Sequence, residues 1–340
     1  MLDKVEAIVS PVYQVGGSVR DELLRKEPKD FDYATSLSPD EVEAAIKAAG
    51  KHAYGIGKKF GTIGMRIDGQ LVEVTTFRAE TYQEGSRKPS VEFVTDITAD
   101  LSRRDFIINA IAKRGERYID PSGGRLDLLE RVIKAVGRPQ DRYKEDPLRM
   151  LRAARFASQL GFTIESNTEG QAMRMCHRIL MVSRERWMLE LDKLLTEKPS
   201  IGLQFLARTR LLNFMLPELA LQVGYDQNSP YHSLPLWDHT LAVVDATPAD
   251  LDLRWTALLH DIGKPFVRTE KPDRSNYIKH DLLGAELVTR LALYLKWSND
   301  RREAVTDLVL NHMRPDSPLR PYDDAAHGCD YTSPCRYLEP

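Results

Sequence analysis

The sequence is short of the features that would place it in several common classes. Three cysteines in 340 residues, Cys176, Cys329 and Cys335, are too few and too scattered for a disulfide framework, and the last two lack metal-ligand spacing, so all read as free thiols. No apolar run approaches the roughly 20 residues needed to cross a bilayer, and no secretory leader follows Met1, so no membrane contact and a cytoplasmic location are expected. Positive charge is not in excess: 48 Lys and Arg stand against 50 Asp and Glu, which excludes a uniformly basic surface but leaves room for a local basic groove. Internal repeats and low-complexity tracts are absent. What remains, 42% hydrophobic and 29% charged residues, is the make-up of a globular chain, and its length calls for two or three cores.

The first part alternates short β-rich runs with helical ones. A strand through Pro11 to Val15 runs into Gly16-Gly17-Ser18, after which a helix is expected. Ser38-Pro39-Asp40-Glu41 has the N-cap, first-turn proline and glutamate of a capping box. GTIGMRI and QLVEVTTFR, joined across Asp68-Gly69, form a β-hairpin signal. From Asp146 onward apolar residues take helical spacing (LRMLRAARFASQL, ERWMLELDKLL, IGLQFLART). Stretches near Arg138-Pro139 and from Gly224 to Pro235 look like junctions. The fold class is therefore α+β: a mixed α/β head with a small sheet over residues 1–137, a helical domain over 138–225, an all-α histidine-rich domain over 226–318, and a tail, 319–340.

Asp30 and Asp32, in KDFDYAT, are two residues apart in an expected strand, which puts both carboxylates on one face about 6.5–7 Å apart along the chain. That spacing lets both reach shared Mg²⁺, as phosphoryl transfer requires. A strand-end pair of this kind also serves merely to keep an edge solvated. Gly16 and Gly17 precede it, and their backbone amides can cradle a triphosphate with Arg20 as a cation, or simply make a tight turn. Arg149, Arg152 and Arg155 recur every three residues, a basic strip or an ordinary solvated helix face.

Gly16-Gly17-Ser18-Val19-Arg20-Asp21 with Asp30-Phe31-Asp32 resembles the signature of class II tRNA nucleotidyltransferases and bacterial poly(A) polymerases, in the polymerase-β superfamily. Asp100-Leu101-Ser102-Arg103-Arg104-Asp105 with Asn109-Ala110 is similar to that family's ribose-recognition element, Glu145-Asp146-Pro147-Leu148-Arg149 to its base-reading element, and Gly61-Thr62-Ile63-Gly64 with Glu73-Val74-Thr75-Thr76-Phe77-Arg78 to its central hairpin. The resemblance runs in order over about residues 10 to 315. It implies Asp30, Asp32 and Glu73 as catalytic carboxylates and Gly16, Gly17, Ser18, Arg20, Arg103, Asp105, Asn109, Asp146, Arg149, Arg152 and Arg155 as nucleotide-binding residues. Asp146 and Arg149, read as i and i+3 on one helix, present an acceptor and a donor suited to cytosine or adenine; Asp146 before Pro147 is equally a good N-cap. Glu73 can equally be an outward strand residue.

Six of the eight histidines fall in the last third: His232, His239, His260, His280, His312 and His327. His260-Asp261, within LLHDIGK, with His239, His280 and His312, resembles the HD phosphohydrolase superfamily, which implies a second divalent-metal site able to activate water against phosphoesters. That pattern ends with an aspartate on a final helix, and after Asn311-His312-Met313-Arg314-Pro315 the segment DDAAHGCDYTSPCRYLEP fits no helix of that domain, so a divergent or truncated tail is expected.

These resemblances imply addition of C, C and A from CTP and ATP to tRNA 3′ ends with Mg²⁺, the helical middle gripping the acceptor stem, and no DNA partner. Alternatives within the family are a CC-adding or A-adding specialist and a poly(A) polymerase, hinted at by Gly57-Lys58-Lys59-Phe60; the segment Ala79 to Pro89 resembles the loop tied to switching from C to A. An HD phosphodiesterase with an inactive, RNA-binding head is the alternative from another class, and a pure RNA-binding scaffold a third.

Overall fold

The structure, a computed structural model, describes residues 1–28, 30–55, 57–81, 90–230 and 232–326. The chain divides into two compact units, Met1–Asp146 with Thr163–Thr168, and Pro147–Phe162 with Glu169–Pro340. The first break falls beyond residue 137 because Tyr143 is fully buried in the head unit, where its hydroxyl donates to the Thr168 carbonyl at 3.2 Å. Within the second unit Arg254 donates to the Leu195 carbonyl at 3.2 Å and the Trp255 indole to Asp192 at 2.8 Å, tying the histidine-rich helices to those before them.

In the head, α1 (Leu2–Glu6), β1 (Tyr13–Val15), α2 (Gly17–Leu23), β2 (Asp32–Thr35), α3 (Pro39–Ala48), β3 (Thr62–Ile67), β4 (Gln70–Thr76), β5 (Arg78–Thr81), β6 (Ser90–Phe93), α4 (Ile97–Ser102), β7 (Ala112–Arg114), β8 (Arg117–Ile119), α5 (Gly124–Glu130), β9 (Val132–Ile133), α6 (Pro139–Glu145) and β10 (Thr163–Ile164) follow in order. Six strands form one sheet in the order β3-β4-β2-β1-β7-β8. The β3–β4 turn carries φ values of 50° at Asp68 and 80° at Gly69, the pair of positive angles that a two-residue hairpin with the right twist demands. The capping box forms at Ser38 and Glu41. Side-chain alternation gives the sheet two buried faces. Tyr33, Val72 and Val74 pack with Val42 and Ile46 of α3 on one, while Ala34, Val15, Phe77 and Leu101 pack on the other. Asp32 shares its face with Ala34 and stands at the exposed end of the strand.

The second unit is helical apart from the short pair β11 (Thr269–Glu270) and β12 (Ser275–Asn276). Its helices are α7 (Leu148–Leu160), α8 (Ser166–Met175, begun in the head unit), α9 (Arg184–Leu194), α10 (Pro199–Arg208), α11 (Leu211–Met215), α12 (Pro217–Ala220), α13 (Leu236–Ala246), α14 (Leu251–Leu259), α15 (His280–Tyr294), α16 (Asn299–Leu310) and α17 (Arg320–Ala326). Close packing fixes several crossings: a Cβ added at Gly202 of α10 would come within 2.6 Å of the Ala154 carbonyl on α7, so only glycine fits there. Contrary to the expectation for the tail, 320–326 is helical; residues 327–340, with His327, Cys329 and Cys335, lie outside the described residues. Cys176 is a buried free thiol.

Candidate active site and metal centre

The parallel pairing of β2 with β4 sets Asp32 directly opposite Glu73, and residues so paired point to the same face of a sheet. Glu73, itself exposed, thus faces the same side as Asp32. Asp30 precedes the strand rather than lying within it, so the two aspartates are not strand neighbours as expected. The charge of Asp30 nonetheless reaches Asp32. Protein packed around the Asp32 carboxyl withdraws water and pushes its pKa up although the side chain meets solvent at the strand end; Arg104 opposes the shift, and Glu73 and Asp30 add to it.

The glycine turn lies against this group. Gly16 has φ 72° and ψ −135°, an arrangement closed to most side chains. A Cβ there would lie 2.9 Å from Arg104 Nη1 and 3.9 Å from Asp32 Oδ2. The Ser18 hydroxyl donates to the Val15 carbonyl at 3.1 Å, which braces the turn and spends the hydroxyl on it. Arg20 is joined to Asn109 Oδ1 at 2.9 Å and to Asp21 at 2.7 Å. Asn109 Nδ2 donates to Asp105 Oδ1 at 3.2 Å. Arg20, Asn109 and Asp105 therefore form one polar chain from the glycine turn to the ribose-element segment.

Asp100 is 1% exposed and takes Arg103 Nη2 at 2.7 Å and Arg104 Nη2 at 3.2 Å. Burial pushes its pKa up, but the two guanidinium groups outweigh burial and hold the carboxyl below its ordinary value. Arg103 also donates from Nε to the Arg78 carbonyl at 3.0 Å. Arg104 and Asp100 were legible as charged residues of one motif, but nothing in their spacing separated Arg104, which faces the glycine turn, from Arg103, which does not.

The base-reading segment departs from the helix-face picture. Asp146 has extended backbone after α6, with φ −142° and ψ 105°, and α7 begins only at Leu148, so Asp146 and Arg149 are not i and i+3 of one helix. Nor do the arginines of α7 form an open strip. Arg149 and Arg155 are each 8% exposed, and the buried Glu190 on α9 sits 3.0 Å from Arg155 and 3.7 Å from Arg152. Among the loop residues read as a C-to-A switch, 82–89 lie outside the described residues.

The histidine centre is closed. His239, His260 and Asp323 form one buried group, and Asp261, His280 and His312 a second; within each, the candidate ligand atoms lie within 4.8 Å of one another. Asp261 joins them: Oδ2 lies 3.2 Å from His260 Nε2, and Oδ1 lies 3.4 Å from His280 Nε2. His260, His280 and His312 engage the carbonyls of Ala257, Tyr277 and Val309 through Nδ1 at 2.8, 2.7 and 2.6 Å. A carbonyl only accepts, so each Nδ1 carries the proton and each Nε2 turns a lone pair inward. The Nε2 atoms of His239 and His260 lie 3.2 Å apart, as do those of His280 and His312, and His239 Nε2 also lies 3.0 Å from Asp323 Oδ1. Such converging lone pairs and carboxylates fit divalent cations.

Burial pushes the Asp261 carboxyl up, but Lys264, 2.7 Å away, and His260 hold it well below the usual range. Burial, with the charge of His260 added, pushes His312 down to about 4. Asp323, 3.0 Å from His239, is the candidate ligand that sequence reasoning missed. Its signal was present: an aspartate on a short helix after Pro315, obscured by the proline, alanine and aspartate composition around it.

Carboxylates at the end of a small sheet beside a glycine turn, together with a histidine-aspartate centre among helices, define the class of poly(A)-polymerase-like heads joined to an HD domain. The families described as "Poly A polymerase head domain", "Probable RNA and SrmB-binding site of polymerase A" and "HD domain" match residues 12–134, 161–222 and 231–334. The chain is 37% identical over 304 residues to the CCA-adding enzyme of Levilactobacillus brevis, covering 87% of this chain and 71% of that one, and it belongs to the CCA-adding enzyme family. It is 38% identical over 253 residues to the CCA-adding enzyme of Bacillus velezensis, covering 74% of this chain. The matched stretches span only 60% of that relative and 50% of the Bacillus subtilis one. The solved Bacillus stearothermophilus CCA-adding enzyme, in complex with CTP, is similar over 96% of this chain and 80% of its own, with a TM-score of 0.57 and 29% identity.

Proposed function

We propose that the chain is a template-independent RNA nucleotidyltransferase of the cytoplasm that adds C, C and A to tRNA 3′ ends from CTP and ATP. The observation that carries this is the register of Asp32 against Glu73, with Asp30 alongside and the Gly16 turn close to the Asp32 carboxylate. Three carboxylates, of which the charges of Glu73 and Asp30 push the Asp32 carboxyl up, are a donor set that fits Mg²⁺. Bound there, Mg²⁺ would acidify the RNA 3′-hydroxyl and neutralise the departing pyrophosphate. Gly16, Gly17 and Ser18 offer backbone amides to the triphosphate, and Arg20 a cation whose aim is set by Asn109. Arg103, Asp105 and Asn109 take the ribose. Asp146 accepts and Arg149 donates, the two hydrogen-bonding characters that a cytosine or adenine edge requires. Arg152 and Arg155 act through Glu190, fixing α7 against α9.

Among the described residues no helix is long and apolar enough to cross a membrane. A second activity is supported by the buried histidine centre: metal-dependent hydrolysis of a phosphoester, its cations held by His239, His260, Asp261, His280, His312 and Asp323. The test offers tRNA transcripts that lack the tail, end in CC, or are complete, each with labelled CTP or ATP and Mg²⁺. Two C and one A added in turn, and nothing on the complete transcript, is the expected result. C alone, A alone or a long A run would assign the chain to another branch, and no incorporation by intact protein would overturn the reading.

A further inference from the structure

We infer that Arg104 is a resident counter-cation of the carboxylate site, occupying the neighbourhood that a divalent ion needs and leaving it for the phosphates when a metal-bound triphosphate enters. Arg104 Nη1 and Asp32 Oδ2 lie 2.9 and 3.9 Å from one point, the position a side-chain carbon at Gly16 would take. Gly16 leaves that point open through its φ of 72° and its lack of a side chain. The guanidinium is held there lightly. Its contacts are long, 3.2 Å to Asp100 Oδ2 and 3.4 Å to the Asn109 carbonyl, whereas Arg103 grips the same Asp100 at 2.7 Å. Arg104 Nε is buried without a hydrogen-bond partner among the described residues, so one donor is unspent.

A guanidinium never gives up its charge in a protein. Placed here it compensates Asp32, Glu73 and Asp30 while no substrate is bound, and its field opposes a bare divalent cation. A triphosphate reverses the balance, because the same donors are attracted to phosphate oxygens, and the freed carboxylates can then take the metal. The metal and the nucleotide should therefore enter together, and the carboxylates should have low affinity for metal alone. This inference rests on the reading of Asp30 and Asp32 as metal-holding residues.

The test titrates Mn²⁺ into the full chain without nucleotide, free ion being followed by electron paramagnetic resonance; binding lost in Asp32→Asn defines the head site. Arg104→Gln should bind Mn²⁺ there on the order of tenfold more tightly, the size expected when one neighbouring like charge is removed, and should bind metal-free CTP more weakly. A role confined to supporting the fold would weaken both. Arg103→Gln, which also takes a guanidinium from Asp100, should leave the Mn²⁺ affinity where it is. Equal or weaker Mn²⁺ binding by Arg104→Gln overturns the inference. Should that variant fail to fold, Asp100→Asn/Arg104→Gln compared with Asp100→Asn answers the same question, tighter binding supporting the inference and equal binding overturning it. If Asp32→Asn loses no Mn²⁺ even when combined with Arg104→Gln and compared with Arg104→Gln alone, it is the metal reading of the carboxylates that fails.

Discussion

The head and the histidine centre are both assemblies of like-charged or lone-pair donors, but they are built in opposite ways. Asp30, Asp32 and Glu73 lie at the exposed end of a sheet, where solvent and one arginine moderate their repulsion. His239, His260, Asp261 and His312 are each no more than 2% exposed, and three of the imidazoles are aimed by backbone carbonyls. An open site can admit a large polymeric substrate and exchange its ions with each turnover. A closed one keeps its ions and restricts what approaches them. The difference teaches where a substitution will be felt: in the rate at the first site, and in metal retention and folding at the second.

The largest effect should come from the buried charge that supports the open site. Asp100→Ala leaves Arg103 and Arg104 without their shared carboxylate and should destabilise the protein by about 3–5 kcal/mol, read by urea denaturation. Asp32→Asn, by contrast, should leave the melting temperature nearly unchanged while the rate of labelled CMP incorporation falls about 10²- to 10³-fold, the range for loss of one preorganised electrostatic group. Equal damage to stability and rate in both variants would erase the distinction between support and chemistry.

At the closed site, pH should act on folding. Native His312 titrates near 4, and in the unfolded chain near its ordinary value of about 6.5. Between those values the unfolded chain binds a proton that the native one refuses, so this contribution is intact above about pH 6.5 and is lost as pH falls towards 4. The metal-free protein should lose about 1–3 kcal/mol over that window, and His312→Gln should flatten the slope. The smallest effect is expected from Asp323→Asn, which keeps the shape but removes one anionic donor. It should weaken metal retention by about tenfold, one ligand's worth of about 1.4 kcal/mol, measured by chelator competition, with CMP incorporation unaltered.

Much of the architecture was legible because its signals are local. The Asp68-Gly69 turn, the Ser38–Glu41 box and the glycine pair before Asp32 are short-range devices, each with a backbone reason. The histidines declared themselves by number and by the His260-Asp261 contact in the chain. What escaped was set by tertiary placement. Asp30 falls outside β2 because the strand begins at Asp32, where pairing with Glu73 begins. Asp146 leaves the helix because the residue before a proline is pushed to extended backbone. Arg103 and Arg104 are adjacent and chemically identical, and only the fold aims one at Gly16. Asp323 was hidden because a seven-residue helix has too few turns to show a period, and its stability comes from packing rather than from its own sequence.

The central claim is that the carboxylates beside the glycine turn are where divalent ions act on the triphosphate. Crystals of the protein grown with CTP and Mn²⁺, recorded at a wavelength that excites Mn, test it most directly. The account predicts anomalous peaks in contact with Asp30 and Asp32 and with the triphosphate oxygens, lost in Asp32→Asn. Nucleotide bound in the head with its phosphates remote from Asp32, and Mn²⁺ confined to the histidine centre, would contradict it.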